Sequence, residues 1–232
     1  MISAYITNLG KYNEGELCGE WLSLPATKED VQALLSRIGV DGVLYEEIFI
    51  TDYETDIANL SRKLGEYESL DELNYLAALL SDMHKWEREK YEAVLEYGEY
   101  TSSVKDLINL AQNLDCYDYL PSVKDNDDLG RHYVEELGCM DVPEHLAPYI
   151  DYEALGRDIN IDMGGVFTDN GFVMDNGDTL KEYYSGRDDL PDEHKVFCYP
   201  NPMSVKEQLA MYSKMVAVQP EKSTNVPQLA ER

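Results

Sequence analysis

The sequence predicts an α+β fold in which two mixed segments flank a helical segment and an extension follows. Alternating apolar residues in the outer segments are typical of half-buried strands, and apolar residues at helical spacing dominate the middle. The balance of charge also changes abruptly after residue 178. We therefore expect three small domains, at 1–58, 59–114 and 115–178, followed by an extension with one helix at 179–232.

The first segment predicts a small sheet with one helix. Ile2–Thr7 alternates like a half-buried strand, Asn8–Asn13 has the composition of a turn, and Leu17–Leu24 predicts a second strand that a proline ends. Thr27, with an acidic residue three positions later, predicts a capped helix whose apolar face carries Val31, Leu34, Leu35 and Ile38. Two glycines follow, and Glu47–Thr51 predicts a third strand.

The second segment predicts three helices. Ser69 and Glu72 form a capping-box pattern before the first helix, Trp86–Tyr97 predicts the second, and Ser102 or Ser103 caps the last. Because the helices and their connections are short, we expect a small bundle. Glutamates recur along the second helix and predict an acidic stripe there, at Glu87, Glu89, Glu92, Glu96 and Glu99.

The third segment is again mixed. Cys116–Leu120 predicts a strand, and Asp127–Leu137 predicts a helix that a glycine ends. Pro143–Tyr149 and Asp151–Asp158 predict two short helices. Residues 165–174 predict a closing hairpin around an Asp-Asn turn.

The extension differs from the rest of the chain in composition. Met203–Val216 predicts one amphipathic helix, and the polar residues 219–232 predict a disordered tail. Residues 179–232 hold 8 acidic and 7 basic residues, a net charge of −1. We therefore expect the extension to be dispensable for any contact that negative charge drives.

Negative charge dominates the remainder. The chain holds 46 acidic and 19 basic residues, a net charge of −27, and 38 of these acids with 12 of the bases lie in residues 1–178. Hydrophobic residues make up 44%, which is too many for a disordered acidic tail, so we expect the charged region to fold. Like charge destabilises a compact domain, so we infer that its field attracts a strongly positive partner. The same field repels DNA and disfavours a nuclease.

The sequence lacks the motifs of several common classes of enzyme. The histidines lack zinc-protease spacing, and we find no Walker, nucleophile-elbow or dinucleotide-binding glycine pattern. We expect no catalysis, no cofactor and no metal site. The four scattered cysteines predict reduced thiols, and neither a signal peptide nor an apolar run of about 20 residues is visible. We therefore expect a cytoplasmic protein that binds neither membranes nor nucleic acid.

Two runs of acids without any lysine or arginine identify the candidate binding surface. One lies between Arg37 and Arg62, and the other lies between Arg131 and Arg157. Carboxylates spread over several faces of thin domains can approach the charge density of duplex DNA, about one charge per 1.7 Å of axis. We expect a distributed surface with no decisive residue, formed by Asp41, Glu46, Glu47, Asp52, Glu54, Glu135, Glu136, Asp151, Glu153 and Asp158.

Five separated blocks carry a resemblance: Ala4–Leu22, Tyr45–Glu54, Leu129–Gly138, Tyr149–Asp158 and Gly165–Gly171. Together they resemble the ArdA-type antirestriction proteins over about residues 1–174. The resemblance implies an elongated three-domain protein that forms a homodimer and imitates bent duplex DNA. Such proteins occupy the DNA groove of type I restriction–modification enzymes, usually on behalf of a plasmid or a transposon. The extension departs from the family pattern.

The resemblance and the charge lead to one functional hypothesis. We expect a non-enzymatic DNA mimic whose carboxylates replace phosphates in the methyltransferase core and specificity subunit of a type I enzyme. The alternative is an acidic adaptor that sequesters another basic DNA-binding protein. Competition by duplex DNA for the partner distinguishes the two.

Overall fold

A computed structural model describes residues 1–200, and it confirms the mixed α and β prediction. The described chain forms seven helices and two small sheets of three strands each. The division into three domains stays a prediction. The predicted helix at 203–216 and the predicted tail at 219–232 lie outside the described residues.

The first sheet contains β1 (Ile2–Asn8), β2 (Gly19–Leu24) and β3 (Ile48–Thr55) in the order β2-β1-β3. Both neighbouring pairs are antiparallel. The turn predicted after β1 is wrong, because these residues form the short helix α1 (Leu9–Asn13). Asn8 caps it, since the side-chain Oδ1 of Asn8 accepts the backbone N–H of Lys11 at 3.0 Å.

Helix α2 (Lys28–Ile38) has the ends that the sequence predicts. The Thr27 hydroxyl accepts the backbone N–H of Asp30, and the Asp30 carboxylate accepts the backbone N–H of Thr27, which completes the capping box. Gly39 ends the helix in the left-handed region with φ 76°. All four residues of the predicted apolar face are buried.

The predicted helical segment contains α3 (Leu70–Asp82), α4 (Lys85–Tyr97) and α5 (Val104–Ala111). The capping box predicted at the start of α3 is wrong, because the Ser69 side chain makes no capping hydrogen bond. Ser103 does cap α5, where its hydroxyl accepts the backbone N–H of Asp106 at 3.1 Å. No helix within residues 1–200 is both long enough and apolar enough to cross a membrane.

The second sheet contains β4 (Tyr117–Leu120), β5 (Val166–Phe167) and β6 (Phe172–Asp175) in the order β4-β6-β5. It confirms the hairpin predicted at 165–174. Helix α6 (Asn126–Arg131) and helix α7 (Tyr152–Met163) pack against each other beside this sheet.

The helix predicted at 127–137 has two parts. Helix α6 ends at Arg131, and a π-helical turn at His132–Glu136 continues the chain. The short helix predicted at 143–149 is a 3₁₀ turn at Ala147–Tyr149. The helix predicted at 151–158 begins one residue later, as α7, because Asp151 is its N-cap.

Two buried glycines let α6 and α7 approach each other closely. A Cβ atom on Gly130 would collide with the backbone of Tyr152, and a Cβ on Gly156 would lie 2.7 Å from the backbone nitrogen of Gly130. Neither helix can carry a side chain at the crossing without moving its neighbour. The crossing therefore fixes the positions of the acidic residues on both helices.

We expect Gly156→Ala to lower the free energy of unfolding by about 1–3 kcal/mol, because overpacking forces the two backbones apart. Asp162→Ala, an exposed change on the same helix, is the control. Urea unfolding measures both. Equal stability of the two variants would mean that the crossing relaxes freely.

The buried side chains form two clusters. The larger cluster contains side chains of the first sheet, of helices α2 to α5, of β4 and of β6. It also contains residues that follow the second sheet in the chain, among them Tyr184, Leu190 and Val196. The smaller lies under the second sheet and contains Val123, Leu129, Phe172 and Met174. We call residues 179–200 the C-terminal strap, since they pack across α3 and α5 with only two 3₁₀ turns of their own.

Candidate functional site

All ten carboxylates predicted from the sequence are exposed. They belong to two groups that lie in different parts of the fold. The first acidic patch, on the loop before β3 and on β3 itself, contains Asp41, Glu46, Glu47, Asp52 and Glu54. The second acidic patch, on the π-helical turn and on α7, contains Glu135, Glu136, Asp151, Glu153 and Asp158.

A bulge in β3 places part of the first acidic patch on the outer face of the sheet. Tyr5 pairs with Asp52, but the next residue of β1, Ile6, pairs with Ile50, so Thr51 is an extra residue. Ile50 therefore faces the core while Asp52 and, two residues later, Glu54 face outward. Their Cα atoms are about 6–7 Å apart, as successive residues on one face of a strand are.

The loop at residues 41–47, which we call the acidic loop, is ordered by its own first carboxylate. Oδ1 of Asp41 accepts the backbone N–H groups of Val43, Leu44 and Tyr45 at 2.9, 2.8 and 3.1 Å. The backbone N–H groups of Asp41 and Gly42 donate in return to the carbonyl of Tyr45. Asp41 therefore shapes the loop that carries the other charges.

These hydrogen bonds also set the ionisation of Asp41. Partial burial by itself raises the pKa of the carboxyl, but the N–H groups of Val43, Tyr45 and Leu44 outweigh it and hold the pKa below its ordinary value. Because the pKa is lower in the folded chain than in the unfolded one, the carboxylate stabilises the fold above the unfolded pKa. That stabilisation is lost as the pH falls through the folded pKa.

We therefore expect Asp41→Asn to destabilise the fold at about pH 7 by about 0.5–1 kcal/mol, at the low end for a capping carboxylate because the group is exposed. The difference from the natural chain should shrink as the pH falls through the folded pKa of Asp41, since the carboxyl then becomes protonated. Glu47→Gln, which removes one charge but no hydrogen bond, is the control. A deficit that stays the same while the pH is lowered until the carboxyl is protonated would contradict this role of the ionised carboxylate.

The remaining carboxylates of the first acidic patch are not neutralised. Within residues 1–200, Glu46, Glu47 and Glu54 make no side-chain hydrogen bond or ion pair, and Asp52 accepts only the backbone N–H of Tyr53, at 2.8 Å. Arg62 lines a shallow cavity with Asp52, but its guanidinium donates to Asn59 at 3.5 Å. The patch therefore presents its full charge to solvent.

Most carboxylates of the second acidic patch have partners within the fold. Arg131 binds Asp127 at 2.6 Å and lies 3.5 Å from Glu135, and Arg157 binds Asp158 at 3.5 Å. The His132 ring is hydrogen-bonded to Glu136 at 2.9 Å. Asp151 caps α7 by accepting the backbone N–H of Ala154 at 3.0 Å. Within the described residues, only Glu153 of this patch has no such partner. Exposed pairs of this kind stabilise little, but they reduce the local field.

The family comparison bears on both patches. The model of the ArdA antirestriction proteins matches residues 4–174, about three quarters of the chain. The chain belongs to the ArdA family. This confirms the resemblance seen in the sequence, and the ArdA match includes all seven helices and both acidic patches. The family match ends before the C-terminal strap. A search of curated proteins found no match to the chain.

The acidic stripe predicted on α4 of this ArdA chain is only partly a surface feature. Glu92 is half-buried and bridges two distant segments, since its carboxylate accepts the backbone N–H of Ala58 at 3.1 Å and the side-chain amide of Asn170 at 2.7 Å. Glu87 accepts the backbone N–H of His84 at the start of the helix. Sequence spacing could not distinguish these structural carboxylates from free ones, because their role depends on partners elsewhere in the fold.

Exposed aromatic residues beside the first acidic patch were also missed. Trp21 is 38% exposed on the outer face of the first sheet, with its ring centroid 5.3 Å from that of Tyr5. Tyr5 pairs with Trp21 on one side and with Asp52 on the other. The high tyrosine content of the sequence is a signal for such a surface, but it does not say which rings are exposed. The residues described in this ArdA chain contain no group of side chains able to hold a metal ion.

Proposed function

We propose that this chain inhibits type I restriction–modification enzymes by mimicking duplex DNA. Its exposed carboxylates would take the place of phosphates in the positive DNA channel formed by the methyltransferase core and the specificity subunit. Membership in the ArdA family supplies the antirestriction function. The mechanism and the enzyme type are our proposal.

The observation that carries the proposal is the absence of compensation in the first acidic patch. Its side chains make no ion pair within residues 1–200, and that region holds 43 acidic and 15 basic residues. A dense negative field accelerates encounter with a positive channel and favours it over other surfaces. Since these carboxylates make no ion pair with any of residues 1–200, a partner can bind them without first breaking ion pairs within that region.

The mechanism needs binding alone and no chemical step. Phosphate contacts position a protein on DNA, while base edges supply sequence information. A mimic that offers carboxylates without base edges should therefore inhibit enzymes of different sequence specificity. We propose that the chain acts in the cytoplasm, where such enzymes meet DNA, and that a mobile genetic element carries it.

The salt dependence of binding tests the proposal. We expect affinity for a purified type I methyltransferase core to fall at least about tenfold between about 50 and 300 mM salt, because screening and counterion release both weaken contacts of a polyanion. Duplex DNA should compete with the chain for the same core. A flat salt response would contradict phosphate mimicry. Binding without DNA competition would favour the acidic adaptor instead.

We also propose that the chain forms a homodimer through the region around the π-helical turn. Large apolar side chains are exposed there, including Tyr149 at 85% and Ile161 at 72%. The hydroxyl of Tyr133 contacts the sulfur of Met163 at 2.8 Å, which brings α7 close to the turn. Exposed apolar side chains that form one contiguous patch typically mark an interface. Sedimentation equilibrium of the purified chain measures the state directly.

A further inference from the structure

The C-terminal strap lies beyond the residues that match the family, yet it joins the two ends of the described fold. It leaves the second sheet, crosses α5 and α3, and reaches α2 and the acidic loop at Tyr199. The ArdA match ends at residue 174 and therefore does not account for it. Its contacts at each end indicate what it does.

Two asparagines, one on α5 and one just after the end of that helix, hold the beginning of the strap. The side chain of Asn109 accepts the backbone N–H groups of Tyr183 and Tyr184 at 2.8 and 3.0 Å, and it donates to the carbonyl of Tyr184 at 2.8 Å. Asn113, one helical turn later, accepts the N–H of Lys181 and donates to its carbonyl, at 2.8 and 2.9 Å. These paired hydrogen bonds hold the backbone of the strap in the way that the hydrogen bonds of a neighbouring β-strand would.

Helix α3 holds the middle of the strap through two acids. Glu72, which is only 7% exposed, accepts the Tyr184 hydroxyl and the Arg187 guanidinium, both at 2.9 Å. Asp71 accepts the backbone N–H groups of Val196 and Phe197 at 2.7 and 2.6 Å. Charge-assisted hydrogen bonds of this kind are about twice as strong as neutral ones, so the path of the strap is well determined.

The end of the strap contacts the acidic loop. The Tyr199 hydroxyl donates to the carbonyl of Glu46 at 3.0 Å. Its ring lies directly against Gly42, where an added Cβ would come within 2.7 Å of the ring. The backbone of Tyr199 is itself fixed, because its carbonyl accepts the side-chain amide of Gln32 on α2 at 3.1 Å.

We propose that Tyr199 is a positioning residue that holds the acidic loop, and with it Glu46 and Glu47, in one arrangement. The loop has no regular secondary structure, and backbone that is free to move loses conformational entropy when a partner orders it. A loop that is already ordered presents its carboxylates at fixed spacing and avoids that cost. The proposal deepens the DNA-mimic function proposed above and rests on it for the binding step.

Hydrogen exchange of the full chain tests the contact without any partner. The backbone N–H groups of residues 41–45 are bonded within the loop, so their exchange reports its opening. We expect Tyr199→Ala to speed their exchange by about tenfold and Tyr199→Phe, which keeps the ring, by about threefold. Tyr183→Ala removes an exposed strap side chain and is the control. Exchange in α3 should not change in any variant.

Affinity for a type I methyltransferase core tests the consequence. We expect Tyr199→Ala to weaken binding by about three- to tenfold and Tyr199→Phe to restore most of the loss. Unchanged loop exchange in Tyr199→Ala would overturn the contact. Faster exchange with unchanged affinity would overturn the positioning role. If the natural chain does not bind the core at all, the proposed function fails, and loop exchange alone then decides whether Tyr199 orders the loop.

Discussion

Neutralising the uncompensated carboxylates of the first acidic patch should weaken binding to a type I methyltransferase core by about 1–4 kcal/mol, or roughly fivefold to several hundredfold or more. The variant combines Glu46→Gln, Glu47→Gln, Asp52→Asn and Glu54→Gln. Each exposed carboxylate contributes a fraction of a kcal/mol to about 1 kcal/mol in a screened setting, so the effect accumulates over the patch. Titration of the purified core at fixed salt measures it.

A control variant with the same change in net charge distinguishes the effect of the first acidic patch from the effect of the total charge of the chain. The described residues offer four exposed acids that make no side-chain hydrogen bond or ion pair there, at Asp82, Glu96, Glu99 and Asp118. Converting these to amides should weaken binding much less. Equal losses in both variants would mean that total charge, and not the patch, determines affinity.

Single changes should have small effects if the surface is distributed. We expect Asp52→Asn alone to retain inhibition, since one exposed carboxylate contributes little. Complete loss of binding from that change, in a folded chain, would identify a hot spot at Asp52. The aromatic pair of Trp21 and Tyr5 beside it is where such a centre would form.

The sequence predicted those elements whose signals are local. Helix α2 carries its capping box and its apolar face within a dozen residues, and the structure has both. Apolar and polar residues alternate clearly in the strands of the first sheet, so the predicted strands differ from the observed ones by only a few residues at their ends. The same reasoning failed at α1, because the Asn8 side chain that suggests a turn also caps a short helix.

The exposure of the ten candidate carboxylates was predictable from the sequence, but their charge balance was not. Long stretches without lysine or arginine located both patches on the surface. Whether a carboxylate is neutralised depends on bases that flank those stretches, as Arg131 and Arg157 do in the second acidic patch. The spacing of Arg131 and Glu135, four residues apart on continuous helical backbone, is a signal that could have predicted one of these pairs.

The C-terminal strap was hidden because every contact that fixes it is long-range. Asn109 lies 75 residues from Tyr184, and Asp71 lies 125 residues from Val196. The only local hint is that asparagine is a poor helix former, so Asn109 in α5 and Asn113 just after its end indicate side chains with partners outside the helix. The charge balance of residues 179–232 predicts only that they are dispensable for a contact that negative charge drives, and it carries no information about the core that residues 179–200 complete.

Cutting the chain after Asp178 should therefore lower the free energy of unfolding by more than about 3 kcal/mol. The cut removes the buried side chains of Tyr184, Leu190 and Val196, each of which contributes about 1.5–3 kcal/mol when fully buried. It also removes the hydroxyl and guanidinium partners of Glu72. Urea unfolding followed by circular dichroism measures the loss.

Cutting after Pro200 is the matched control, because it keeps the strap and removes only residues 201–232. We expect this variant to keep both the stability of residues 1–200 and the affinity for the methyltransferase core, since the residues removed hold three acids and four bases. Equal stability after either cut would show that the strap contributes nothing to the fold. Loss of binding after the cut at Pro200, with stability intact, would assign part of the binding surface to residues 201–232 and limit the charge argument to the remainder of the chain.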